Sequence, residues 1–359
     1  MNAFDPGAAA PSDSGIYGLP CTAADAKVIV VPVPFAATTS YGGGAEHGPR
    51  ALLDASRQVD LFDVETGRPY EVGLAMLPIP EEIVAWDTAA RADASRVIAV
   101  GGAIAGDPAL RDALARVNQI SRAVNEHVYA TVKGVLAQKK LPALVGGDHS
   151  TPYGAIRACA DAYPGLGILH IDAHADLREA YEGFEHSHAS IMHNVTQTLP
   201  GVARLVQVGI RDLSEEEFER IQGSRGRIRT HFDADLARRR FEGEPWAKEI
   251  ERIVEGLPEL VYVSFDIDGL DPTLCPHTGT PVPGGLSFQE AAALVAGVAR
   301  SGRTIVGVDL NEVVPGAPGD EWDGNVGAKE ARQCPGDEAE RQQRRRIGNA
   351  DLDSCLAGP

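Results

Sequence analysis

Six short runs rich in valine, isoleucine and leucine punctuate the chain: Val28–Val33, Leu141–Val145, Leu166–Ile171, Leu205–Ile210, Leu260–Phe265 and Thr304–Leu310. Runs this short, apolar on both faces, read as strands buried in a parallel sheet. Helix-length stretches separate them. Val117, Ile120, Val124, Val128, Val132 and Leu136 recur every three or four positions, which predicts an amphipathic helix. Ser214–Gln222 and Ser287–Ala299 predict further crossover helices, and Arg96–Val100 predicts a short edge strand. Alternation of this kind implies an α/β domain with a parallel sheet covered on both faces. The two ends depart from the pattern. Residues 1–26 are rich in Ala, Gly, Pro and Ser and lack both a basic start and an apolar h-region, so they read as a disordered leader and not as a signal peptide. After Val326 the apolar pattern collapses. Residues 329–359, with the charged stretch Gln333–Arg346 broken at Pro335-Gly336, read as a disordered tail. The domain itself is therefore expected over residues 27–328.

Composition narrows the function classes. The 33 basic and 51 acidic residues give a net charge of −18. Such a surface disfavours nucleic acid and anionic membranes and favours a small cationic partner. No apolar run approaches the 18 residues of a membrane helix. Cys21, Cys159, Cys275, Cys334 and Cys355 are scattered and odd in number, which fits reduced thiols and a cytoplasmic location. The Gly-rich loop Tyr41–Pro49 lacks the spacing and the lysine of a phosphate loop.

The chemistry lies in three blocks, each following an apolar run: Gly146-Gly147-Asp148-His149, Asp172-Ala173-His174-Ala175-Asp176 and Asp266-Ile267-Asp268. Ligands of open parallel sheets bind beyond the carboxyl ends of the strands, where these blocks fall. In the last two blocks the ligand-type residues alternate. Alternate residues of an extended chain face one side, so Asp172, His174 and Asp176 can converge, as can Asp266 and Asp268. Four carboxylates in one place repel strongly unless cations neutralise them. Two histidines with four carboxylates suit two Mn²⁺ ions better than a sulfur-rich zinc site. Ions that share a water lower its pKa towards roughly 7, which points to hydrolysis.

The motifs GGDHS, DAHAD and SFDIDGLDP resemble the three signatures of the ureohydrolase family, which includes arginases and agmatinases. Gly44–Pro49 and Val308–Pro315 (VDLNEVVP) extend the likeness, which covers about Val28 to Ala328. It implies a three-layer α/β/α domain with a mainly parallel, doubly wound sheet, a dimanganese centre and a homo-oligomer. It further implies that His149 and Asp176 hold one ion, that His174 and Asp268 hold the other, and that Asp172 and Asp266 bridge them. Asp176 would also pass a proton to the leaving amine, Glu312 would pair with a substrate guanidinium, and His188 would shuttle protons.

The implied reaction releases urea and an amine from a guanidine. Arginase-like members carry an asparagine two residues after the last aspartate of DxHxD. This chain has Arg178 there, and the run DLREAYEG resembles agmatinase-type chains, so agmatine is the expected substrate. Arg178 either faces an acidic substrate or forms a surface ion pair with Glu179 or Glu182. Alternatives are an arginase, a guanidino-acid hydrolase, a deacetylase-like amidohydrolase with one zinc and a catalytic tyrosine, or a catalytically impaired homologue with an aberrant C-terminus. The complete ligand set disfavours the last two.

Overall fold

The computed structural model describes residues 4–64 and 66–332. Eight parallel strands form one sheet: β1 (Val28–Val33), β2 (Leu74–Met76), β3 (Leu141–Gly146), β4 (Leu166–Ile171), β5 (Val202–Ile210), β6 (Ile228–Phe232), β7 (Leu260–Asp266) and β8 (Thr304–Asn311). Their order is β2-β1-β3-β8-β7-β4-β5-β6. The chain lays β2 outside β1 and β3 inside it, crosses to β4 and builds outward to β6, and returns to fill the centre with β7 and β8. The four central strands β3, β8, β7 and β4 are thus neighbours, and their carboxyl ends lie side by side.

The helices form two layers. One face of the sheet is covered by α1 (Gly48–Ser56), α7 (Asp233–Phe241), α8 (Trp246–Glu255), α9 (Phe288–Arg300) and α10 (322–332). The other is covered by α2 (Glu81–Ile98), α3 (Pro108–Ala137), α4 (Tyr153–Ala162), α5 (Ile191–Thr198) and α6 (Glu215–Gly223). Alternate strand residues divide between these layers: Val28 and Val30 pack one way, Ile29 and Val31 the other. The expected three-layer α/β/α architecture is the one observed, and the sheet is parallel throughout. Among the described residues no helix is long and apolar enough to cross a membrane.

Four expectations need correction. Arg96–Val100 is not an edge strand; Arg96 to Ile98 end helix α2. Its buried stripe, Ile83, Asp87, Ala90, Ala94 and Val97, is helical in spacing but contains two alanines and an aspartate, so it lacks a strong hydrophobic signal. The edge strands β2 and β6 were not expected. One is three residues long, and in the other only Ile228 is buried. Part of the expected leader packs on the domain: Ile16, Tyr17 and Leu19 are buried in the core, and the Tyr17 hydroxyl donates to the Ala328 carbonyl at 2.7 Å. Residues 329–332, assigned to the tail, continue helix α10. The rest of the expected tail, 333–359, lies outside the described residues.

Helix α10 carries one costly group. Glu330 is 2% exposed, is surrounded by Val30, Ala143, Val308 and Leu310, and neither carboxylate oxygen has a partner among the described residues. Burial pushes its carboxyl from 4.5 up to about 8. The sign follows from linkage. Below pH 4.5 folded and unfolded chains both hold the proton, and no penalty arises. Between pH 4.5 and 8 only the unfolded chain ionises, so the penalty grows and reaches several kcal/mol. Glu330→Leu should therefore raise the unfolding midpoint by about 5 °C or more at pH 8, and by clearly less at pH 5. Calorimetry at both pH values checks this; an unchanged or lowered midpoint at pH 8 contradicts it.

Candidate metal centre and active site

The central strands deliver the three blocks to one place. His149 follows β3 through Gly146-Gly147, a turn that excludes side chains. A Cβ on Gly147 would sit 2.1 Å from the Phe35 carbonyl oxygen, and one on Gly146 would sit 2.1 Å from Asn311 Oδ1. Asp172, His174 and Asp176 follow β4, Asp266 ends β7, Asp268 lies in the 3₁₀ turn after it, and Glu312 follows β8. Asp176 (φ 54°) and Glu312 (φ 60°) both hold left-handed backbone conformations that non-glycine residues rarely adopt. The Glu312 amide donates to the Gly147 carbonyl at 2.8 Å, and the Asp176 carbonyl accepts from the His193 amide at 3.0 Å.

His149 lies at the centre of the cluster. Its Nδ1 is 3.0 Å from Asp172 Oδ2, 3.2 Å from Asp266 Oδ2 and 3.3 Å from Asp176 Oδ2. Its Nε2 meets Ser264 Oγ at 2.9 Å, and that hydroxyl donates its single proton to Asp309 Oδ1 at 3.0 Å. Nε2 must therefore be the donor to Ser264. In the neutral ring this leaves the Nδ1 lone pair aimed at three carboxylate oxygens, which is a repulsive arrangement. A proton on Nδ1 could serve only one of the three, whereas a cation can face all four atoms. A second group joins His174 Nδ1 to Asp268 Oδ2 at 3.0 Å and to Asp172 Oδ1 at 3.5 Å. Asp172 thus belongs to both groups of potential ligands.

The electrostatics agree. Burial pushes Asp266 well above the usual carboxylate range, and the nearby Asp268 and Asp172 add to the shift. Burial, then Asp172, pushes Asp176 up to about 7. Bound cations would remove these penalties. The donors are imidazole and carboxylate, with no thiolate in either group, and they fit divalent ions that prefer such ligands.

Glu312 sits beside this cluster. Its Oε1 accepts the His149 amide N–H at 3.0 Å, while its Oε2 is buried without a partner among the described residues. Burial, then Asp148, holds its carboxyl well above the ordinary range. His188 has Nδ1 3.9 Å from Glu312 Oε1 and Nε2 3.3 Å from Ser40 Oγ. Burial lowers its pKa and favours the neutral ring. A pocket of about 170 Å³ opens outward from here, lined by His174, Asp176, Arg178, Tyr181, His188 and Asp212 among others.

Arg178 does not turn to Glu179 or Glu182. Its Nε lies 3.6 Å from Glu217 Oε2, and its guanidinium lies 5.0 Å from the centre of the Tyr181 ring. Glu217 is well held, for it forms the capping box of α6 with Ser214 and also accepts the Leu177 amide N–H at 2.9 Å. The structure therefore brings all six expected ligands together with Glu312 and His188, and places Arg178 on the pocket wall. Sequence reasoning missed His170, whose Nε2 lies 2.8 Å from Asp172 Oδ2, and the Ser264–Asp309 pair behind His149. His170 precedes Asp172 by two residues on the same strand face; that spacing was the available signal.

A His/Asp cluster at the carboxyl end of a parallel α/β sheet is a site that could hold metal ions. A model of the arginase family matches residues 26–321. The chain is 35% identical over 294 residues to the N(1)-aminopropylagmatine ureohydrolase of Thermus thermophilus, covering 81% of this chain and 84% of that one. It is 29% identical over 307 residues to the agmatinase of Bacillus cereus, covering 81% and 84%. The crystal structure of the agmatine ureohydrolase of Thermoplasma volcanium superposes with a TM-score of 0.67 at 23% identity, covering 89% of this chain and 92% of that one, and supports the shared fold. The chain belongs to the arginase family and is a hydrolase of C–N bonds in guanidino compounds.

Proposed function

We propose that the chain is a dimanganese ureohydrolase that cleaves agmatine to urea and an amine. The observation that carries this reading is the convergence of three carboxylates on one imidazole nitrogen beside a buried glutamate oxygen that has no partner among the described residues. His149 with Asp176, and His174 with Asp268, would hold the two ions, and Asp172 and Asp266 would bridge them. Bound there, the ions would supply an activated water at neutral pH.

The side chains do the rest. Glu312 Oε2 accepts a guanidinium N–H, a charge-assisted contact that also fixes the orientation of the carbon to be attacked. The cation offsets the cost of ionising Glu312. Asp176 takes the proton given up by the attacking water and delivers it to the departing nitrogen as its bond to carbon breaks. Neutral His188, on the pocket wall beside Glu312, exchanges protons with solvent. The net charge of −18 favours the approach of a cationic substrate. The names of the relatives support a guanidine bearing a distal amine. N(1)-aminopropylagmatine is the second reading, because a relative at 35% identity over most of both chains carries that substrate in its name. The scattered, odd-numbered cysteines support a cytoplasmic location, and the family resemblance supports a homo-oligomer.

Urea release should be fastest with agmatine or its aminopropyl derivative in a panel that includes arginine, guanidinobutyrate and guanidinopropionate, with Mn²⁺ added. It should vanish with chelation and return with Mn²⁺. Arg178 is partnered by Glu217, so Arg178→Ala should change the preference between agmatine and guanidinobutyrate by less than about threefold, or roughly 0.6 kcal/mol. A selective collapse on guanidinobutyrate would reassign the substrate to a guanidino acid.

A further inference from the structure

His170, Gln207 and Thr230 lie side by side as register partners on β4, β5 and β6. His170 and Gln207 are fully buried. The orientation of the Gln207 amide is fixed from both ends. Its Nε2 is 2.8 Å from the Ala175 carbonyl oxygen, which can only accept, and its Oε1 accepts from Thr230 Oγ1 at 3.0 Å. The second N–H of the amide therefore points at His170 Nδ1, 3.1 Å away, and makes that nitrogen an acceptor. A neutral ring then carries its proton on Nε2, the atom that faces Asp172 Oδ2 at 2.8 Å.

By distance alone His170 could be a metal ligand together with His149, Asp172 and Asp176. The nitrogen that reaches the cluster is, however, the protonated one, and it offers a metal no lone pair. We infer that His170 is a positioning residue: the relay Thr230–Gln207–His170 holds Asp172 in the orientation in which its Oδ2 faces His149 Nδ1 and its Oδ1 faces His174 Nδ1, so that it can serve both groups of potential ligands. Gln207 acts twice, because its bond to the Ala175 carbonyl also fixes the loop between His174 and Asp176. The relay starts on an edge strand and ends at the metal centre. Outer hydrogen bonds of this kind orient ligands and tune metal affinity. The inference rests on the dinuclear reading of the site.

The test measures metal binding. In His170→Leu the Mn²⁺ dissociation constant, from equilibrium dialysis, should rise about 10- to 100-fold, with two ions per chain still bound at saturation. Pulsed EPR should show the same number of coordinated imidazole nitrogens as in the wild type. His170→Gln can place an amide N–H near the former Nε2 and should stay within about threefold of wild-type affinity. Loss of an ion at saturation, or of a nitrogen coupling, in either variant would make His170 a ligand and overturn the inference. Wild-type affinity in the leucine variant would overturn it too. Should that variant fail to fold, Gln207→Leu tests the relay one residue further out. Weaker Mn²⁺ binding is expected there, and wild-type affinity would again count against the relay. A wild-type chain that binds no Mn²⁺ overturns the proposed function itself and this inference with it; the other adverse outcomes overturn the inference alone.

Discussion

Asp266→Asn is expected to lower urea release by several orders of magnitude and to remove tight binding of one of two Mn²⁺ ions per chain. Asp266 is 4% exposed at the end of β7, with Oδ2 3.2 Å from His149 Nδ1 and Oδ1 accepting the Asp268 amide N–H at 2.9 Å. Asparagine keeps that amide contact, so the local turn should survive. What disappears is one negative charge that would face the proposed cations, and with it the proposed means of activating water. The apo protein should not be destabilised, because burial and the nearby Asp268 and Asp172 make the aspartate costly to ionise without metal. Metal analysis of the dialysed variant, thermal unfolding without metal and a urea assay check the three parts. Two tightly bound ions with near-native turnover would refute the bridging assignment.

The sheet centre was legible in the sequence because buried parallel strands require apolar side chains on both faces. The edges were not. Residues Arg229, Thr230 and His231 of β6 form no apolar run, since a strand with one neighbour need not be apolar. The metal blocks were legible because period two in an extended chain converts directly into convergence. His170 was hidden within an apolar run, and its role depends on Gln207 and Thr230, which come together only when β4, β5 and β6 pair. Arg178 shows the same limit. Its sequence neighbours Glu179 and Glu182 were the obvious partners, yet the acid it meets, Glu217, is presented by the start of α6. The docking of Tyr17 onto the Ala328 carbonyl spans nearly the whole domain and leaves no local pattern. Local pattern thus pointed to the ligand-type side chains, while contacts made through the fold determine how those side chains are held.

Glu312→Gln separates substrate recognition from metal binding. The change keeps the size of the side chain and an oxygen able to accept the His149 amide N–H, a 3.0 Å bond in the native protein. It deletes the charge that would meet the guanidinium in a desolvated setting. Truncating one partner of such a pair costs about 2–5 kcal/mol, so kcat/KM should fall roughly thirtyfold to several-thousandfold. Mn²⁺ content should be unchanged, because Glu312 touches the backbone of His149 and not its ring nitrogens. Stability should hold or rise. Glu312 is 2% exposed, its Oε2 is unpartnered among the described residues, and its carboxyl is held far above the ordinary range by burial and then by Asp148. An ionisable group kept at that cost, in a left-handed backbone conformation, signals a site arranged for a cation and not for folding. Loss of metal from the variant would place Glu312 in the coordination shell. An unchanged kcat/KM would remove it from the guanidinium site.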